Sequence, residues 1–150
     1  MLHKKIRLGD LLVEKKYISS NDLQRALELQ KEENYRYKLG EIFVNEGFIS
    51  EKELANLLSS QLGVEVVDLY GEEVDFELLS KYPFNFLKIH GIVPFKEDNS
   101  EIYVAALDPL NYDAIEHIER VNPAKPIKIF IALKQEINYI LDRLELIETT

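Results

Sequence analysis

The chain has 150 residues, 46% of them apolar and 30% charged, the balance of a globular chain and not of a disordered one. It holds no cysteine, which excludes disulfides, thiolate metal sites and a thiol nucleophile. Its net charge of −9 works against non-specific binding of nucleic acid, which needs clustered positive charge.

The charge is uneven: residues 1–70 carry −2 and residues 71–150 carry −7, while residues 1–38 alone hold 9 positive against 6 negative side chains. A small anion can therefore still find local donors near the start of the chain. Residues 1–20 are too charged for a secretory signal, and no apolar run approaches the roughly 18 residues of a membrane span. A cytoplasmic location without direct membrane insertion is expected.

The first predicted elements are halves of a duplication. Arg7–Gln30, RLGDLLVEKKYISSNDLQRALELQ, recurs 31 positions later at Lys38–Gln61, KLGEIFVNEGFISEKELANLLSSQ, with eight of 24 positions identical. Average usage gives roughly one or two identities by chance. Each copy reads as two helices. Leu8, Leu11 and Leu12 have helical spacing, as do Leu39, Ile42 and Phe43. Lys16 and Gly47 fall where the first helix of each copy needs a left-handed stop, which Gly adopts freely and Lys adopts at a cost on the order of 1 kcal/mol. Ser19-x-x-Asp22 and Ser50-x-x-Glu53 have the form of capping boxes, the second being the closer match because Glu stands at the reciprocal position. Leu23, Ala26 and Leu27, like Leu54, Leu57 and Leu58, turn an apolar stripe of the second helix toward a shared core.

Beyond Gln61 the pattern changes. Residues 63–69 read as extended, and 75–90 as a helix interrupted at Pro83. Gly91–Lys96 and Glu101–Leu107 flank Glu97-Asp98-Asn99-Ser100, a hairpin signal. Asp108-Pro109-Leu110-Asn111 leads into a helix over 112–121. Ile127–Ala132 is a β-branched strand, and a closing helix over 134–146 turns Ile137, Ile140, Leu141 and Leu144 inward. The predicted class is α+β: a helical subdomain of two tandem helix–turn–helix repeats over 1–64, then a small three-stranded α/β subdomain over 65–150.

The polar members of the repeat are the candidate functional residues. Gln30 and Gln61 end the apolar stripes, so each amide either finds a hydrogen-bond partner or is solvated at its helix end. Arg7 and Lys38 each precede a Leu-Gly pair at a helix start, where backbone N–H groups attract phosphate and glycine permits close approach. Arginine can also stack on a base or bond a guanine edge. The competing reading is a solvated charge beside a packing glycine, with Asp10 and Glu41 already answering the helix dipole. His3, His90 and His117 are scattered without ligand spacing, and neither a phosphate-binding GxxxxGK[ST] loop nor GxGxxG occurs. No metal site and no enzymatic activity are expected.

Arg7-Leu8-Gly9…Leu23…Leu27…Gln30 paired with Lys38-Leu39-Gly40…Gly47…Leu54…Leu58…Gln61 resembles the N-terminal domain of type II secretion and type IV pilus assembly ATPases. Ile92-Val93-Pro94-Phe95, the hairpin and Ala105-Ala106-Leu107-Asp108-Pro109-Leu110-Asn111 are similar to that family's second half. The resemblance implies a regulatory or docking domain that works with a motor ATPase domain, in cis or in trans, and with the cytoplasmic part of an inner-membrane platform protein. Some members bind cyclic di-GMP through the tandem motif, one half of the ligand per copy. That implies contacts from Arg7 and Lys38 to guanine or phosphate, from Leu8, Gly9, Leu39 and Gly40 through backbone and apolar groups, and from Gln30 and Gln61 by hydrogen bonds. Leu27 and Leu58 line the apolar wall on this reading. The chain departs from the motif at Lys38, which stands for Arg, and at Lys16, which stands for Gly. Other members dock without nucleotide.

Overall fold

The computed structural model describes residues 7–149. Among them it holds eight α-helices and one three-stranded mixed sheet, the α+β class that the sequence predicts. The chain divides into two compact units, one ending at Leu54 and the other beginning at Ala55. His3 lies outside the described residues.

The first unit contains α1 (Leu8–Glu14), α2 (Ser20–Glu32), α3 (Leu39–Asn45) and the start of α4 (Glu51–Leu62). The helix ends follow from the residues predicted to set them. Lys16 and Gly47 adopt φ 65° and 80°. Behind α1, the Lys16 N–H donates to Val13 C=O and the Tyr17 N–H to Leu12 C=O, both at 3.0 Å. Gly47 and Phe48 repeat these bonds to Val44 and Phe43 at 3.1 and 3.0 Å. This is the Schellman closure, made identically in both copies. The capping boxes are also both complete. The Ser19 and Ser50 hydroxyls accept from Asp22 N–H and Glu53 N–H at 3.0 Å. The two carboxylates accept from the Ser19 and Ser50 N–H groups at 2.9 and 3.2 Å, so Asp closes its box as tightly as Glu. The backbone and hydroxyl bonds of Ser19 hold the Asp22 carboxyl below its usual range. Leu8, Leu11, Leu12, Ile18, Ala26, Ile42, Phe43 and Ile49 are buried.

One inward assignment is corrected. Leu27 is 41% exposed: Ala26 and the half-buried Leu23 carry the packed face of α2, and Leu27 lies beyond its edge.

In the second unit, residues 63–69 do not form a sheet strand. Gly63, at φ 68°, turns the chain out of α4, Val66 makes a single parallel bridge to Ile131, and Leu69–Gly71 closes as a 3-10 turn. The turn has two causes. Asp68 accepts from Tyr70 N–H at 3.1 Å, and the buried Glu136 carboxylate accepts from Leu69 N–H at 2.7 Å, drawing the chain inward. As expected, the helical stretch over 75–90 is interrupted before Pro83, giving α5 (Phe76–Leu79) and α6 (Phe84–His90). Pro83, extended at φ −61° and ψ 130°, has no N–H with which to continue a helix.

The sheet follows in the order β1 (Ile92–Glu97), β2 (Ile102–Ala106), β3 (Ile127–Ile131). β1 and β2 form the predicted antiparallel hairpin, turned by the Asp98 carboxylate, which accepts from the Ser100 and Glu101 N–H groups at 2.7 and 2.9 Å. β3 is parallel to β2, which requires the crossover that α7 (Tyr112–Val121) provides. α8 (Lys134–Glu148) closes the unit, with Ile137, Ile140, Leu141 and Leu144 buried as expected. No helix among the described residues is long and apolar enough to cross a membrane.

Candidate ligand site in the tandem repeat

The repeat places Arg7 and Lys38 in the same local geometry. Each is the residue capping the N-terminus of a seven-residue helix, α1 or α3, in extended conformation: φ −103°, ψ 137° for Arg7 and φ −74°, ψ 153° for Lys38. Arg7 is exposed and Lys38 is half-buried. Asp10 and Glu41 occupy the two first turns, and Glu41 accepts from Lys38 N–H at 3.4 Å. The carboxylate thus already answers the helix start, the competing reading of these positions.

The Leu-Gly pairs interlock. A Cβ placed on Gly9 would lie 2.5 Å from Leu23 Cδ1 and 3.4 Å from Leu39 Cδ2. One placed on Gly40 would lie 3.2 Å from Leu8 Cδ2 and 3.4 Å from Leu54 Cδ2. Leu39 therefore covers Gly9 while Leu8 covers Gly40, a reciprocal exchange across α1 and α3. Helix-on-helix packing accounts for both glycines, with the first copy's Leu8-Gly9 buried and the second copy's Leu39-Gly40 half-buried.

The two glutamines behave differently. Gln30, half-buried at the end of α2, donates from Nε2 to the Tyr37 backbone C=O at 3.1 Å, and the Gln30 backbone C=O accepts from Tyr35 N–H at 2.7 Å. The last residue of the first copy is thereby clamped to the segment that begins the second. Asn34 and Tyr35 stand at φ 55° and 60° to make this return, and the Arg36 guanidinium lies 5.4 Å over the Tyr37 ring. Gln61 is exposed. The leucines also differ, with Leu27 at 41% exposure and Leu58 at 1%.

Within the first unit the structure thus brings together Leu8 with Gly40, Gly9 with Leu39, and Gln30 with the peptide preceding Lys38. Leu58 and Gln61 lie further along α4, past Leu54. Sequence reasoning missed Tyr37 as the partner of Gln30. The signal available was Asn34, a residue enriched in the left-handed conformation that such a return needs.

Elsewhere the polar groups have structural employment. His90 and His117 stack on Phe86, at centroid distances of 4.9 and 4.5 Å, and Asn111 bonds His90 Nδ1 at 3.2 Å. No cluster of three or more His, Cys, Asp or Glu among the described residues could hold a metal ion.

Comparison with known proteins adds four likenesses. A family model for the MshEN domain matches residues 62–150. The type IV pilus assembly ATPase PilB of Myxococcus xanthus is 32% identical over 113 residues, which are 75% of this chain and 20% of that protein, so the chain spans a small part of its relative. A solved structure of MshE with cdg, cyclic di-GMP, aligns at a TM-score of 0.68 and 30% identity, covering 93% of this chain and 99% of the other. The N-terminal domain of XpsE, at 23% identity, shares the fold, with a TM-score of 0.62 and coverage of 95% and 99%.

Proposed function

The chain belongs to the MshEN domain family, and from that premise we propose that it is a non-catalytic regulatory and docking domain of a type II secretion or type IV pilus motor, with the tandem repeat as a receptor for cyclic di-GMP. The observation that carries the ligand reading is the reciprocal Leu-Gly exchange. It joins two helix starts at which Arg7 and Lys38 share the same extended capping geometry, and a ligand made of two identical halves suits two such related half-sites. The likeness to MshE with cyclic di-GMP supports it. Arg7 and Lys38 meet guanine or phosphate, and the exposed Leu27 offers apolar contact beside Gln30, three residues on along α2. Half-buried Leu39 and Gly40 supply backbone and methyl groups, whereas Leu8, Gly9 and Leu58 are buried and belong to the packing. The domain works in the cytoplasm, beside its motor domain and against the cytoplasmic part of a membrane platform protein.

A specific observation favours a second reading, docking without nucleotide. The Gln30 amide is already bonded to Tyr37, and Lys38 lacks the planar fork with which Arg binds guanine bidentately. Calorimetric titration of the folded chain with cyclic di-GMP separates the two. Heat that weakens in Arg7→Ala supports the receptor; a folded sample giving no heat leaves docking alone. Docking is read separately, by co-purification with a cytoplasmic fragment of the platform protein and its loss on charge reversal of the contact face. Indifference to every such reversal would remove it.

A further inference from the structure

The sheet has two edges, and they are finished differently. At β1, Pro94 has no N–H, the register shifts between Pro94 and Lys96, and the Phe95 C=O accepts from Asp75 N–H at 2.8 Å. Proline, a bulge and a covering segment all close a sheet edge against further pairing. At β3 only the C-terminal part is covered: Ile131 N–H donates to Glu65 C=O, and Ile131 C=O accepts from Val67 N–H, both at 2.9 Å. That ladder goes no further back because the chain leaves α4 only at Gly63.

Peptide groups of successive strand residues face opposite sides. The Pro126 C=O accepts from Ile102 N–H and the Ala132 N–H donates to Ala106 C=O, so the even-numbered residues face β2. Ile127 and Ile129 therefore face outward with Ile131, and among the described residues no bond to their N–H or C=O groups is found. Their side chains are half-buried on one face, while Lys128 stands exposed on the other.

We propose that the Ile127–Ile129 edge of β3 takes up an extended segment of a partner polypeptide as an added strand, with the segment reading apolar–acidic–apolar. Charge selects this occupant. Residues 71–150 hold 15 acidic against 8 basic side chains, yet this edge presents the exposed Lys128, 5.2 Å over the Phe130 ring, while Lys125 just upstream is paired with Glu97 at 3.6 Å. An acidic residue opposite Lys128 makes a favourable cross-strand pair, and its apolar neighbours meet the face of Ile127 and Ile129. A second copy is disfavoured, because two-fold antiparallel pairing about this triplet sets Lys128 directly opposite its own counterpart. The inference deepens the docking reading by giving it a face and a chemistry, and a failed peptide test leaves co-purification to stand by itself.

The test titrates the isotope-labelled full chain with two capped heptapeptides, STVEVTS and STVKVTS, followed by amide chemical shifts and hydrogen exchange. The glutamate peptide should shift and protect the Ile127 and Ile129 amides. It should bind on the order of fivefold more tightly than the lysine peptide, and Lys128→Glu should reverse that order. Ile129→Pro, which removes an outward N–H and no bond to β2, should abolish binding while leaving the remaining spectrum folded; if it unfolds the chain, the charge swap decides. The proposal is overturned if neither peptide perturbs these amides, if both bind equally, or if binding survives Ile129→Pro. Self-association through this edge would also overturn it.

Discussion

The repeat places the same backbone requirement under two different side chains, so it supplies its own control experiment. Lys16 and Gly47 both stand in the left-handed region, at φ 65° and 80°, and both make the same closing bonds. Lys16 is exposed, and a Cβ on Gly47 would meet nothing within 4 Å. Exchanging the residues therefore alters backbone strain and chain entropy, with little packing. A left-handed conformation costs an L-residue about 1–2 kcal/mol, and glycine returns about 0.4–1 kcal/mol of that through its freer unfolded chain. Lys16→Gly should accordingly stabilise the chain by about 0.5–1 kcal/mol, and Gly47→Lys should destabilise it by a similar amount. The double exchange should come close to wild type. For a chain of this length 1 kcal/mol moves the midpoint by roughly 2–4 °C, which thermal and urea melts followed at 222 nm resolve. Equal destabilisation by both single exchanges would refute the reasoning, because it would assign Lys16 a side-chain role in place of backbone strain.

Burial holds the Glu136 carboxyl above its ordinary range, outweighing the Leu69 N–H bond that opposes the shift. With a raised folded pKa, its contribution is fully present below the unfolded value near 4.5 and is lost as pH rises through the folded one. Glu136→Gln keeps an acceptor for Leu69 and offers a donor to Asp68, so it should melt above wild type at pH 7, with the gap closing toward pH 4. Gln30→Ala should cost about 0.5–1.5 kcal/mol by freeing the Tyr37 carbonyl, while Gln61→Ala, at an exposed position, should leave the melting midpoint unchanged. Ser19→Ala and Ser50→Ala should each cost about 1 kcal/mol in chemical denaturation.

Much of the repeat's architecture was legible because helix ends depend on local chemistry. Ser19, Ser50, Lys16 and Gly47 act on residues three to five positions away, and Pro83 acts on its own peptide. What remained hidden depends on contacts across the chain. Residues 63–69 look extended by composition, but Glu136, distant in sequence, draws Leu69 into a turn. Leu27 has the spacing of an inward residue, and only the placement of the neighbouring helices decides that it faces out. At the candidate site, the shared capping geometry of Arg7 and Lys38 could be read from the duplication. The asymmetry of Gln30 and Gln61 could not, since it comes from the Asn34–Tyr35 return, which the repeat does not contain.

The proposed receptor holds one two-fold ligand in two half-sites, one for each repeat copy. Isothermal titration of cyclic di-GMP into wild type, Arg7→Ala and Lys38→Arg tests it most directly. The prediction is one ligand per chain, an affinity roughly 10–100-fold weaker on losing the charged bonds of Arg7, and tighter binding once a guanidinium stands at position 38. Binding that ignores both substitutions, or that fits one ligand for each repeat copy, would contradict it.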